Sequence, residues 1–88
     1  MSESAKNILV IARDDKPEAL RMATGLTLLD DIVRVAVIGD LDESAEEVRL
    51  QLEALEFADV PIRRLDPVNG DCQALADLMT ESNAVLVV

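Results

Sequence analysis

The sequence has no histidine, tryptophan or tyrosine, and only one cysteine, one phenylalanine, three glycines and three prolines among 88 residues. Each scarcity removes a class of protein. Without histidine and with a single cysteine, the chain alone cannot build a structural zinc site or a Cys/His catalytic pair, and a histidine-based hydrolase triad is excluded too. Cys72 has no internal disulfide partner, which excludes a disulfide framework. The segment Ala12 to Pro17, which follows the first apolar run, contains no glycine, so neither a dinucleotide fingerprint nor a P-loop is present. No apolar run approaches the roughly 20 residues that span a bilayer. The polar start MSESAKN is followed by too short an apolar run for a signal-peptide core, so the expected location is the cytoplasm. With Phe57 as the sole aromatic, the core must be aliphatic. A chain of this length buries only about 60 to 65% of its unfolded surface, so modest stability is expected of it alone.

What is present is an even spread of Leu, Ile and Val: 50% of residues are apolar and 30% charged, with 18 acids against 8 bases and a net charge of −10. This is the composition of one globular domain, residues 1–88, with no repeat or linker. The hydrophobic period switches back and forth along it. Asn7 to Ala12 (NILVIA) is a continuous apolar run, predicting a central strand covered on both faces. Asp15 stands three residues before Glu18 with Pro17 between, a capping box that opens a helix reaching Leu29. Its stripe is Leu20, Ala23, Leu26 and either Thr27 or Asp30, widened by Met22 and Leu29, and Gly25 within it is expected to face a close strand. Val33 to Gly39 predicts a second strand. Ser44 and Glu47 repeat the capping box, ahead of a helix with Ala45, Val48, Leu52 and Leu55 inside and Glu46, Arg49, Glu53 and Glu56 outside. Ile62 to Leu65, entered by Pro61 and carrying Arg63 and Arg64, predicts a short or edge strand. After the turn residues 66–70, Asp71 is the expected cap of a third helix with Cys72, Leu75, Ala76 and Met79 inward, stopped by Asn83. Ala84 to Val88 (AVLVV) predicts the fourth strand.

The order βαβαβαβ implies a three-layer α/β fold: a four-stranded, mostly parallel sheet with three helices and right-handed crossovers. Strand orders 2-1-3-4 and 3-2-1-4 both put two helices on one face and one on the other. Part of a face should then lack a partner, and an exposed apolar patch is unusual in a monomer, so an oligomer is expected.

Ligands of open parallel sheets bind beyond the carboxyl ends of the strands. Here that edge gathers 13–16, 39–43 and 66–72. Cys72, near a helix N-terminus, is the one weak candidate for catalysis, as a persulfide-carrying or redox thiol. The other reading, and the expected one, is a small apolar residue packed in phase with Leu75 and Met79 and slow to alkylate. Asp14, Asp15, Asp40 and Asp66 raise a second possibility, a divalent-cation or phosphoacceptor site like that of receiver domains, against the plainer reading of a helix cap and solvated loops. Residues 42–59 hold seven acids and one base, which disfavours nucleic acid and anionic membranes and suits a solvated face or a basic protein partner. Neither a cofactor nor a metal site is expected.

The block EALRMATGLTLLDDIVRVAVIGD, Glu18 to Asp40, resembles the DsrE/DsrF-like family, in which a first helix of the form ALRMALGLTL runs into a second strand ending in GD. LADLMTESNAVLVV is similar to that family's last helix and strand, and with the first strand the resemblance covers about two thirds of the chain. It implies a small cytoplasmic α/β protein forming homo-oligomers, or hetero-oligomers with related subunits, in a group whose active members relay sulfur as a cysteine persulfide. Active members carry that cysteine in a strand and helix element between the second and the final helix. This chain passes instead from Phe57 through one short strand to Asp66, and Cys72 does not align with the carrier position. The resemblance therefore implies a shortened accessory or binding subunit, non-catalytic, connected with sulfur relay. A sulfur-carrier component using Cys72 is the alternative, and a receiver-like signalling module a weaker one.

Overall fold

The computed structural model describes residues 6–29 and 32–88. Asp30 and residues 1–5, which entered the readings above, lie outside the described residues. The elements are β1 (Asn7–Ala12), α1 (Lys16–Leu26), β2 (Ile32–Ile38), α2 (Glu46–Phe57), β3 (Ile62–Leu65), a 3-10 turn (Pro67–Asn69), α3 (Cys72–Thr80) and β4 (Ala84–Val87). They form one fully parallel sheet of order β3-β2-β1-β4. The three-layer α/β expectation holds, with the second of the two strand orders. Chain direction explains the layers. From β1 to β2 to β3 the chain steps the same way across the sheet, so right-handed crossovers put α1 and α2 on one face; β3 to β4 steps back across it and puts α3 on the other.

Strand alternation divides the core accordingly. Toward α1 and α2 point Ile8, Val10, Ala12, Val33, Val35 and Val37, which pack on Ala19, Leu20, Ala23, Val48 and Leu55. Toward α3 point Leu9, Ile11, Ala36 and Leu65, covered by Leu78 with Ala74 and Leu75. No polar or charged side chain is buried among the described residues.

Several local expectations are corrected. α1 stops at Leu26, not Leu29: the Thr24 and Thr27 hydroxyls bond back to the Leu20 and Thr24 carbonyls, and the chain tightens into turns that leave Leu28 and Leu29 exposed. Asp15 does cap α1, accepting from the Glu18 amide at 3.3 Å, while the Glu18 carboxylate pairs with Arg21 instead of returning to the cap. Gly25 faces solvent, and a Cβ there would meet nothing within 4 Å, so close strand approach does not explain it. α2 has no side-chain cap: Ala45 holds the N-cap position, and the Ser44 hydroxyl and amide donate to Asp42. The inner and outer faces of α2 are otherwise as expected, with Val48 and Leu55 buried.

The inner face of α3 is rotated from the expected one. Ala74, Leu75 and Leu78 face the sheet, whereas Cys72, Ala76 and Met79 are exposed. Nor is the α3 face of the sheet left bare, for Leu9, Ile11 and Ala36 are all at most 5% exposed. Beside the helix, Arg34 shares this face and pairs with Glu81 at the end of α3 at 3.1 Å. What stays open is the β4 edge, where Val87 is 52% exposed.

Candidate functional site

The loops at the carboxyl ends of the strands are tied to one another by backbone contacts. Beyond β1, the Arg13 and Asp14 amides both donate to the Val88 carbonyl at 2.9 Å, fastening the end of β4 to the first loop. The Asp14 carboxylate accepts from Arg13, and Asp15 is spent on the helix cap. Beyond β2, Gly39 adopts φ +79°, a conformation that favours glycine, and its amide donates to the Leu65 carbonyl at 3.0 Å. The Lys16 ammonium crosses from α1 to donate to the Asp40 carbonyl, and Arg64 of β3 pairs with Glu43. Ser44 holds the Asp42 carboxyl below the usual carboxylate range by donating its hydroxyl, then its amide, to it. The Arg21 guanidinium does the same for Glu18 on α1.

Beyond β3 the turn closes on itself. The Asp66 amide donates to the Asp71 carboxylate at 2.6 Å and the Asp71 amide to the Asp66 carbonyl at 3.1 Å, with Gly70 at φ +112° completing the reversal. Asp71 therefore occupies the N-cap position of α3 without capping it by its side chain. Cys72, first residue of α3, is exposed, and its thiol donates to the Pro67 carbonyl at 3.3 Å. This corrects the packed reading. The Asp66–Asp71 bonds set the start of α3, and its burial phase centres on Leu75 and Leu78, which turns Cys72 outward.

A shallow hollow of about 190 Å³ at this end is lined by Gly39, Asp40, Arg64, Leu65, Asp66 and Asp71. It brings Asp40 and Asp66 together; Asp14 and Asp15 stand apart from it. With β2 between β1 and β3, the loops after those two strands are separated by two strand spacings, roughly 10 Å. No group of three Cys, Asp or Glu among the described residues is placed to hold a metal ion. A larger hollow, about 460 Å³, runs along the β3 edge beside Leu52, Glu56, Asp59, Val60, Pro61 and Ile62. No helix among the described residues is long and apolar enough to cross a membrane.

The sheet's two edges differ in a way that the loops do not. β3 is guarded: Pro61 precedes it, and Arg63 and Arg64 are both exposed on it. β4 and its flanks carry no charged side chain from Ser82 to Val88, and a reciprocal bond fixes the start of the strand: the Asn7 amide donates to Asn83 Oδ1 at 2.8 Å and the Asn83 amide to the Asn7 carbonyl at 2.7 Å. The uncharged run AVLVV was the available signal for this open edge. Asn83, read only as a helix stop, gave no sign of its part in docking β4. No family model matches the chain, and no curated protein or solved structure matches it either.

Proposed function

We propose that the chain is a small association subunit of the DsrE/DsrF-like kind, a non-catalytic cytoplasmic component that works in sulfur relay by binding other subunits. The observation that carries the binding part is the uncharged, uncovered β4 edge with Val87 half exposed, set against a β3 edge blocked by Pro61, Arg63 and Arg64. The sulfur-relay part rests on the resemblance of Glu18–Asp40 and the closing helix and strand to that family. The acids along α2, flanked by Asp42 and Asp59, suit a basic partner.

A second reading is favoured by one observation, the exposure of the Cys72 thiol at the first position of α3, where a donor can reach it. On that reading Cys72 carries a persulfide and the chain is a sulfur-transfer component. Native mass spectrometry of the protein purified from its own cell separates the two. The association reading expects masses above the 9.6 kDa chain, from copies or related subunits, with Cys72 unmodified. A monomer with one extra sulfur atom on Cys72 would replace it by the carrier reading.

A further inference from the structure

We propose that the occupant of the β4 edge is β4 of a second copy, paired antiparallel about a two-fold axis through Leu86, which rests on the association reading above and specifies its surface. The backbone argues first. The Val88 amide donates to the Ile11 carbonyl at 3.0 Å and the Val88 carbonyl accepts from Arg13 and Asp14, so both backbone groups of Val88 turn toward β1. Strand alternation turns those of Ala84 and Leu86 the same way and those of Val85 and Val87 outward. In an antiparallel pair centred on Leu86, Val85 stands opposite Val87 of the partner subunit. Those two residues exchange both bonds of a hydrogen-bonded pair, and the two-fold repeats the exchange at the other end. The edge is therefore its own complement, the property that a closed two-fold interface requires.

Charge argues second. Each copy carries −10, so two copies approach at least cost where charge is lowest. No side chain from Ser82 to Val88 is charged, and the charged side chains Arg13 and Asp14 at one end of β4 and Arg34 and Glu81 at the other are ion-paired within the chain. The acidic helix α2 packs on the opposite side of the sheet from α3, and the arginines Arg63 and Arg64 sit on the far edge. Pairing also covers the exposed side chain: Val87 and Val85 point to the α3 face, so each Val87 comes beside Val85 of the partner subunit, while the two Leu86 side chains meet on the other face. A strongly basic partner finds no acidic side chain on β4, and the strand offers a second copy both registry and a surface without charged side chains.

The test is sedimentation equilibrium of the 88-residue chain from micromolar to millimolar concentration, with amide hydrogen exchange at both extremes. The expected result is a monomer–dimer equilibrium in which the Val85 and Val87 amides exchange more slowly at high concentration. Val87→Pro removes an outward amide and no bond to β1, so it should keep its far-UV circular dichroism and raise the dimer dissociation constant about tenfold or more. Should that variant fail to fold, Val87→Lys takes its place, and Val68→Lys, on the exposed turn before α3, should leave the dimer unchanged. A dimer that survives Val87→Pro or Val87→Lys, with the Val85 and Val87 amides of the unsubstituted chain exchanging freely at every concentration, overturns this inference and leaves the association reading standing. A pure chain that stays monomeric, with those amides protected only in complex with a different protein, overturns the second copy alone. A monomer under every condition overturns both.

Discussion

The two faces of the sheet are packed to different standards. Against α1 and α2, Val10, Ala12, Ala19, Leu20, Ala23, Val37 and Leu55 are all fully buried, and two helices share one continuous cluster with the strands. Against α3, a single nine-residue helix covers the sheet, and its most buried side chain, Leu78, is still 9% exposed. Full burial there belongs to strand residues, Leu9 and Ala36, which their neighbours on the sheet help to enclose. The difference teaches where stability and accessibility separate. The α1–α2 side holds the fold, and the α3–β4 side presents the exposed thiol, the 3-10 turn and the open edge.

The largest expected effect breaks this comparison if it falls on the wrong side. Leu55→Ala, at 0% exposure between α2 and the sheet, should lose about 2 to 5 kcal/mol, a large part of the stability of a small domain. Leu78→Ala leaves a cavity that solvent already reaches and should lose less, about 2 kcal/mol. Urea unfolding of the two variants measures both, and a larger loss from Leu78 would mean that α3, not α1 and α2, anchors the sheet.

Smaller effects sharpen the account of the α1–α2 side, where glycine sits in the position that does not need it and is missing from one that does. Gly25 is helical, exposed and unobstructed, so Gly25→Ala should stabilise by about 0.5 to 1 kcal/mol. α2 ends in a Schellman motif, with the Val60 amide donating to the Leu55 carbonyl at 2.9 Å and the Asp59 amide to the Glu56 carbonyl at 3.0 Å. Asp59 holds its left-handed position at φ +60° and adds a negative charge at a helix C-terminus. Asp59→Gly relieves both and gives back unfolded-state entropy, for a net gain of about 0.5 kcal/mol. Thermal melts of the two variants read these shifts.

The strands were legible in the sequence because each announces itself locally. NILVIA is apolar throughout, as a strand buried on both faces must be, and Pro61 with two arginines marks β3 as an edge. The order of the strands was not, since periodicity is a local property and the choice between 2-1-3-4 and 3-2-1-4 is a matter of which distant strands pair. The phase of α3 failed for a different reason. Cys72, Ala74, Leu75, Ala76, Leu78 and Met79 wrap apolar character around most of the helix, so two stripes fit equally well and only packing chooses between them. Ser44 had the right spacing for a cap, yet Asp42 two residues earlier competes for its hydroxyl and amide. At the carboxyl edge the sequence could name the acids but not their separation, which follows from β2 lying between β1 and β3.

Native-state amide exchange in low concentrations of urea tests the division of labour most directly, because it reads the opening free energy of each segment in one sample. The amides of α1, α2 and the central strands β1 and β2 should exchange only through global unfolding, with a steep dependence on urea, while those of Leu75 to Thr80 in α3 should exchange through a smaller opening at lower free energy. Convergence of every helix on a single global isotherm, α3 included, would contradict the account.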